Sequence, residues 1–124
     1  YFSEDATYEV RGGPAACRIS GRAAIFAGLK KSIDGLDRRC SERQIELTDG
    51  PEVVETDNGQ EVTIGWIVTY KYRDAPELAL PGRSAFRIAE GRIVAMRDEY
   101  DQKGVESLGD WMRKFGEGLD GAYI

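Results

Sequence analysis

Between residues 40 and 100, apolar and polar residues alternate over long stretches that are separated by short turn signals. The stretch Glu61–Arg73 is the strongest. Its large apolar residues share one parity: Val62, Ile64, Trp66, Val68, Tyr70 and Tyr72. A period of two is typical of a β-strand that buries one face. A chain with this pattern must build most of its structure around a sheet.

The same pattern predicts four further strands, over Asp5–Val10, Arg43–Thr48, Leu78–Ala89 and Arg92–Tyr100. Turn-forming residues separate them, at Asp49-Gly50-Pro51, Asp57-Asn58-Gly59, Asp74-Ala75-Pro76 and Glu90-Gly91. Because it contains Gly12-Gly13-Pro14, the segment Arg11–Ile19 is predicted to be a loop. These predictions describe a series of long strands joined by short connections.

Two segments have helical periodicity instead. Gly21–Ile33 places Ile25, Leu29 and Ile33 on one face, with Ser20 as the expected N-cap and Asp34-Gly35 as the end. Gly104–Gly118 is predicted to be an amphipathic helix near the C-terminus. Long antiparallel strands with helices grouped at the ends indicate an α+β fold in one domain, 1–124. A sheet of this size covered by one helical layer must curve, and its concave side becomes a cavity.

Composition excludes several classes of function. A net charge of −5 and a pI near 4.8 argue against nucleic acid and anionic membrane surfaces as partners, and no apolar run is long enough to span a bilayer. The chain contains no histidine, which excludes histidine-dependent nucleophiles and the usual zinc and iron sites. We therefore expect no metal and no cofactor, with proton transfer left to carboxylates, tyrosine, lysine or a thiol. Cys17 and Cys40 are expected to be free thiols of a cytoplasmic protein.

The run Phe86–Asp101 has the form F-x-I-x-x-G-x-I-x-x-x-R-D-x-Y-D. This pattern resembles the SnoaL-like, ketosteroid-isomerase-like branch of the nuclear transport factor 2-like superfamily, as do the opening F-S-E-D-A-T-Y-E and the later G-R-A-A-I. The resemblance implies a strongly curved antiparallel sheet, a cone-shaped half-barrel with helices packed at its mouth. It also implies a long first helix, largely absent here, of which Tyr1 and Phe2 would be the last turn.

The resemblance carries over only part of the known catalytic groups. Where ketosteroid isomerases have their general-base and oxyanion-hole aspartates, this chain has Val10 and Ser84. Compared with limonene-epoxide-hydrolase-like members, Asp98 matches a carboxylate and Tyr8 a water-holding tyrosine, whereas Val10 replaces an asparagine. Their arginine and second aspartate are replaced by Gly65 and Ile67, or by Trp66 and Val68 if the hairpin slips by one residue. Neither mechanism is expected in its usual form.

Asp98 is the main candidate for chemistry. Alternation places it on the same face as Met96 and Tyr100, so a sheet that turns this face inward would desolvate the carboxylate and raise its pKa. Tyr8 is its expected partner in the chemistry, with the phenol donating to a water or ligand oxygen beside Asp98. The alternative for Tyr8 is a core tyrosine whose hydroxyl reaches the rim of the pocket. The other residues expected to line the pocket are Val10, Ile25, Leu29, Trp66, Ser84, Phe86, Met96 and Tyr100. The alternative for Asp98 is a structural carboxylate that caps a backbone amide or pairs with an arginine.

Three functions remain open at this stage. The first is a cofactor-independent enzyme (an isomerase, dehydratase, cyclase or hydrolase) that acts on a hydrophobic, oxygen-bearing molecule with Asp98 as general acid or base. The second is a module that binds an apolar ligand without catalysis, and the third is a protein-interaction domain. Arg83, Arg87 and Arg97 lie off the pocket face, and the resemblance implies a homodimer through this outer face of the sheet.

Overall fold

The computed structural model describes residues 1–12 and 17–120. Its elements are β1 (Phe2–Arg11), β2 (Cys17–Ser20), α1 (Arg22–Gly35), a 3-10 turn (Asp37–Arg39), β3 (Glu42–Thr56), β4 (Gly59–Lys71), β5 (Leu78–Ala89), β6 (Arg92–Tyr100) and α2 (Gln102–Phe115). The strands form one open sheet in the order β2-β1-β6-β5-β4-β3. The α+β class is confirmed, but the sheet is mixed because β1 runs parallel to β6.

Three details near the N-terminus differ from the sequence expectations. Phe2 begins β1, so it is not the last turn of a helix. The predicted loop contains β2, which pairs with β1 through Cys17 and Val10; residues 13–16 of that loop lie outside the described residues. Ser20 ends β2, and Gly21, at φ 95°, occupies the N-cap of α1 without a side-chain cap. Four residues are too few to show a period, so tertiary pairing decided this segment.

The turn predicted at Asp49-Gly50-Pro51 is wrong, because β3 continues through it. The pairing of β3 with β4 shifts register on both sides of Asp49. Gly50 has φ 83°, and a Cβ there would lie 2.8 Å from the Thr63 carbonyl oxygen. In this chain, therefore, these turn-type residues form an irregularity inside a long strand. The turns at residues 57–58 and 90–91 are as expected, and the second has positive φ at both Glu90 and Gly91.

The strand registers align one row of residues across four strands. Ile64 of β4 pairs with Ser84 of β5, Ser84 with Asp98 of β6, and Asp98 with Val10 of β1. Paired residues point to the same side of a sheet. The row therefore places a serine and an aspartate next to each other among apolar neighbours.

The buried side chains form two clusters. The larger joins β4, β5 and α2 and contains Leu36, Trp66, Val68, Tyr70, Tyr72, Leu78, Leu80, Leu108 and Trp111. The smaller joins β1 to α1 and contains Ala6, Tyr8, Val10 and Ile25. Tyr100 packs against both clusters. The space between them is bounded by the part of β6 that carries Asp98 and Tyr100.

Two further sequence predictions can be compared with the described residues. Cys17 and Cys40 are both free and partly buried, and burial raises the pKa of each thiol. Within the described ranges, neither helix has the length and apolar character that crossing a membrane would require.

Candidate functional site

Asp98 lies on the inner side of β6 and is nearly buried, with 9% of its surface exposed. Alternation along β6 gives Met96 and Tyr100 the same side, as the sequence predicts. The pairing with Ser84 on β5 and the parallel pairing with β1 bring side chains from two neighbouring strands to the carboxylate. The site is therefore built from regular strands, not from loops.

Three side chains connect to Asp98 through a chain of hydrogen bonds. The Tyr8 hydroxyl donates to Oδ2 at 2.5 Å, and the Ser84 hydroxyl donates to Oδ1 at 2.6 Å. The Trp66 indole N–H donates in turn to Ser84 Oγ at 2.8 Å. All of these donors are neutral, and each carboxylate oxygen keeps lone pairs for a further partner. Neutral donors therefore hold Asp98 in place, and no ion pair joins it to a cation within residues 1–12 and 17–120.

Burial raises the pKa of Asp98 above its ordinary value of 3.8, while the hydrogen bonds from Ser84 and Tyr8 lower it by a smaller amount. Desolvation disfavours the charged form, and donors to the carboxylate favour it. Burial also raises the pKa of Tyr8, and the adjacent Asp98 raises it further. Tyr8 consequently stays a neutral donor across the physiological range.

A cavity of about 330 Å³ opens beside this network. Its walls come from α1, the 3-10 turn and strands β1, β3, β4, β5 and β6. They are formed by Tyr8, Leu29, Ser32, Ile33, Asp37, Arg43, Ile45, Ile64, Trp66, Val68, Tyr70, Ser84, Met96, Asp98 and Tyr100. Most of these side chains are aliphatic or aromatic, which suits an apolar ligand held by a few polar groups.

The cavity includes seven of the ten residues expected at the site: Tyr8, Leu29, Trp66, Ser84, Met96, Asp98 and Tyr100. Val10 and Ile25, at 1% and 0% exposure, instead lie in the smaller core cluster. Phe86 pairs with Met96 and so has the inner parity, but it is not part of the cavity wall, and it borders a groove among charged residues such as Arg87 and Arg97. For these three residues, periodicity along the strand or helix predicted which face of the element they lie on. It could not predict how far the cavity extends along that face.

Two residues that the sequence analysis missed, Arg43 and Asp37, also line the cavity. Arg43 Nε lies 3.2 Å from Asp37 Oδ2. Arg43 shares the parity of Ile45 on β3, so a charge on an otherwise apolar face was the available signal. Asp37 carries no such signal, because the 3-10 turn that presents it has no period to interpret.

The arrangement suits proton transfer. Asp98 can accept a proton from a ligand in the cavity, and the Tyr100 phenol, which no hydrogen bond ties to another described residue, can donate to a ligand oxygen. Burial raises the pKa of Tyr100, and Asp98 raises it further, so this phenol keeps its proton. Among the described residues, no group of three or more acidic or thiol side chains is placed to hold a metal ion.

Comparison with known proteins identifies the family. The family model of the SnoaL-like domain matches residues 1–96. A search of curated proteins found no significant match.

Several solved structures share the fold. Bal32a, from a soil-derived mobile gene cassette, is 21% identical with a TM-score of 0.63, and the match covers 89% of this chain and 77% of that one. A proposed polyketide cyclase from Xanthomonas campestris is 24% identical with a TM-score of 0.57, over 91% and 78% of the two chains. A protein from Catenulispora acidiphila with a ketosteroid isomerase-like fold, in complex with trimethylamine, is 22% identical with a TM-score of 0.58, over 84% and 72%. At these identities the likeness concerns the fold, and together with the family match it shows that the chain belongs to the SnoaL-like domain family.

Proposed function

We propose that this protein is a cofactor-independent acid-base enzyme that moves a proton on a small, hydrophobic, carbonyl-bearing molecule, with Asp98 as the general base and acid. The supporting observation is that Asp98 is buried beside the cavity and held by Tyr8 and Ser84, neither of which is charged. A carboxylate that serves only structure is expected to be tied to an arginine or to backbone amides. Asp98 is instead desolvated and open to a ligand.

The chemistry follows from the positions of the donors and acceptors. An Asp98 oxygen takes a proton from the carbon next to the carbonyl, and the electron pair of that C–H bond forms the C=C bond of an enolate. The negative charge moves to the ligand oxygen, where the Tyr100 phenol can donate a hydrogen bond. Asp98 then delivers the proton to a different carbon of a conjugated enolate, so the C=C bond moves and the carboxylate is regenerated. Tyr8 and Ser84 act as positioning residues, because they fix the orientation of the carboxylate.

The raised pKa of Asp98 supports this role, since a base works best when its pKa approaches the working pH. The solved structures that share the fold include a proposed polyketide cyclase. The alternative is a module of the same fold that binds a hydrophobic ligand without catalysis. It is favoured by the apolar character of most of the cavity wall.

Deuterium exchange tests the proposal without knowledge of the natural substrate. The probe is 2-tetralone, an apolar bicyclic ketone with acidic protons next to its carbonyl, incubated with the protein in D₂O and followed by NMR. We expect the wild-type protein to accelerate exchange at the acidic carbon. In Asp98→Asn the acceleration should fall by about 10²–10⁴-fold, the usual contribution of a positioned acid or base.

The matched control is Asp57→Asn, which makes the same chemical change at an exposed turn residue and should leave the exchange rate unchanged. Binding of 2-tetralone without accelerated exchange would contradict the enzymatic proposal and favour the binding module. Equal exchange rates for the wild-type protein and Asp98→Asn would also contradict it.

A further inference from the structure

The cavity has a second polar end, separate from Asp98. Arg43 on β3 and Asp37 on the 3-10 turn both line it, and they form an ion pair at 3.2 Å. Their side chains are 39% and 18% exposed, which makes this the least exposed ion pair found within residues 1–12 and 17–120. Ion pairs on the outer surface, such as Arg38 with Asp34 at 72% and 38%, are far more open.

Tyr70 completes this end. It pairs with Arg43 in the β3–β4 register, so both side chains point to the inner face. Burial raises the pKa of the Tyr70 phenol, the charge of Asp37 raises it further, and Arg43 lowers it. Both members of the ion pair are therefore close to the phenol. The three groups together present donors and acceptors to the cavity.

Tyr100 lines the same cavity as both polar ends. Burial is the main cause of its raised pKa, followed by Asp98, Tyr70 and Asp37, with Arg43 acting in the opposite direction. The pKa of this one phenol is therefore affected both by the carboxylate at the first end and by the ion pair at the second. Both ends line one cavity of about 330 Å³, which is within the range of small-molecule sites.

The second end is electrically balanced. One guanidinium and one carboxylate cancel, so an anionic ligand would find no unpaired cation at this end. The guanidinium still has N–H donors besides Nε, and Asp37 still has lone pairs, so a donor and an acceptor lie side by side. A hydroxyl or carbonyl oxygen can use such a pair without changing the charge.

We propose that Arg43 and Asp37 form a second binding point that selects ligands with two oxygens: one that accepts a hydrogen bond from the Tyr100 phenol beside Asp98, and a neutral hydroxyl or carbonyl at the opposite end of an apolar body. This inference rests on the proposed use of the cavity as a ligand site. It adds the class of ligand, a flat apolar molecule with an oxygen at each end. Arg43 and Asp37 are specificity-determining residues in this view, not groups that move the proton.

Binding of two matched probes tests the inference. They are 2-naphthol, with one oxygen, and 2,6-dihydroxynaphthalene, with an oxygen at each end; the affinity of each is measured by calorimetry. In the wild-type protein we expect the diol to bind about tenfold more tightly, the worth of one hydrogen bond to a charged group. Arg43→Gln should remove this preference and leave the affinity for 2-naphthol unchanged. Arg38→Gln, which breaks an exposed ion pair, should keep the preference.

A second variant separates ligand recognition from a purely structural ion pair. Asp37→Asn leaves the charge of Arg43 unbalanced, so we expect it to bind 6-hydroxy-2-naphthoate more tightly than the wild-type protein does. Equal affinity of the wild-type protein for the two naphthols, or failure of the diol to bind at millimolar concentration, would overturn the inference. If the wild-type protein prefers the diol but does not accelerate deuterium exchange, the result would contradict the catalytic proposal and leave the second binding point intact.

Discussion

At the scale of single residues, the environment of Asp98 is the main finding. Its carboxylate accepts hydrogen bonds from Tyr8 and Ser84, and Trp66 donates to Ser84. The sequence predicted the inward face of Asp98 through alternation and the R-D-x-Y motif. Tyr8 was expected beside it from the family resemblance, as a donor to a water or ligand oxygen, whereas its hydroxyl donates to Asp98 itself. The link from Trp66 through Ser84 could not be predicted, since it depends on the β4–β5 register.

Ser84→Ala tests this network. The substitution removes the acceptor of the Trp66 N–H and leaves that N–H buried without a partner. It also removes the donor to Asp98 Oδ1, while Tyr8 still donates to Oδ2. We expect the free energy of unfolding to fall by about 1–3 kcal/mol at neutral pH, as measured by chemical denaturation. Ser107→Ala, on the exposed side of α2, should change it little. If the two variants are equally stable, the network contributes nothing to the fold.

At the scale of elements, the packing of the Trp66 ring across Gly82 of β5 positions the first polar end, because it brings the indole N–H to Ser84. Gly82 pairs with Trp66, and a Cβ on Gly82 would lie 2.4 Å from the indole ring. The absence of a side chain at Gly82 lets the ring lie across β5 towards Ser84. The sequence predicted β5 and β6 with their observed bounds, because both are long and periodic. It missed β2 and the continuation of β3, where strand pairing overrides local turn signals.

Gly82→Ala is therefore expected to displace Trp66 and to break its hydrogen bond to Ser84. Forcing an extra methyl group against a rigid ring costs about 1–3 kcal/mol of unfolding free energy, measurable by thermal or chemical denaturation. The control is Gly109→Ala in α2, where a Cβ meets only an arginine side chain at 3.6 Å. Since alanine favours a helix more than glycine does, this control should be neutral or stabilising. A Gly82→Ala protein as stable as the wild type would show that the ring can move freely.

At the scale of the whole molecule, the fold separates a hollow inner face from a charged outer face. Arg97 approaches Glu99 at 3.9 Å, and Arg83 lies 3.2 Å from Asp49 on the outer side. The homodimer expected through this face stays a prediction. The cavity on the inner face results from the curvature of the sheet. The sequence indicated a fold with a curved sheet but not the exact shape of that curve. The exact lining, including Arg43, depended on the β3–β4 register and on how the elements surround the hollow.

The proposals for this protein depend on a single physical condition: the native fold keeps the Asp98 carboxyl desolvated. The most direct measurement is the free energy of unfolding of the wild-type protein and of Asp98→Asn from about pH 4 to about pH 7. Since the pKa of Asp98 is raised in the native state, the native state binds more protons than the unfolded state above the ordinary value of 3.8. We therefore expect the stability of the wild type relative to Asp98→Asn to fall as the pH rises through the native pKa, and then to level off. A difference that stays constant or increases with pH would contradict a desolvated Asp98.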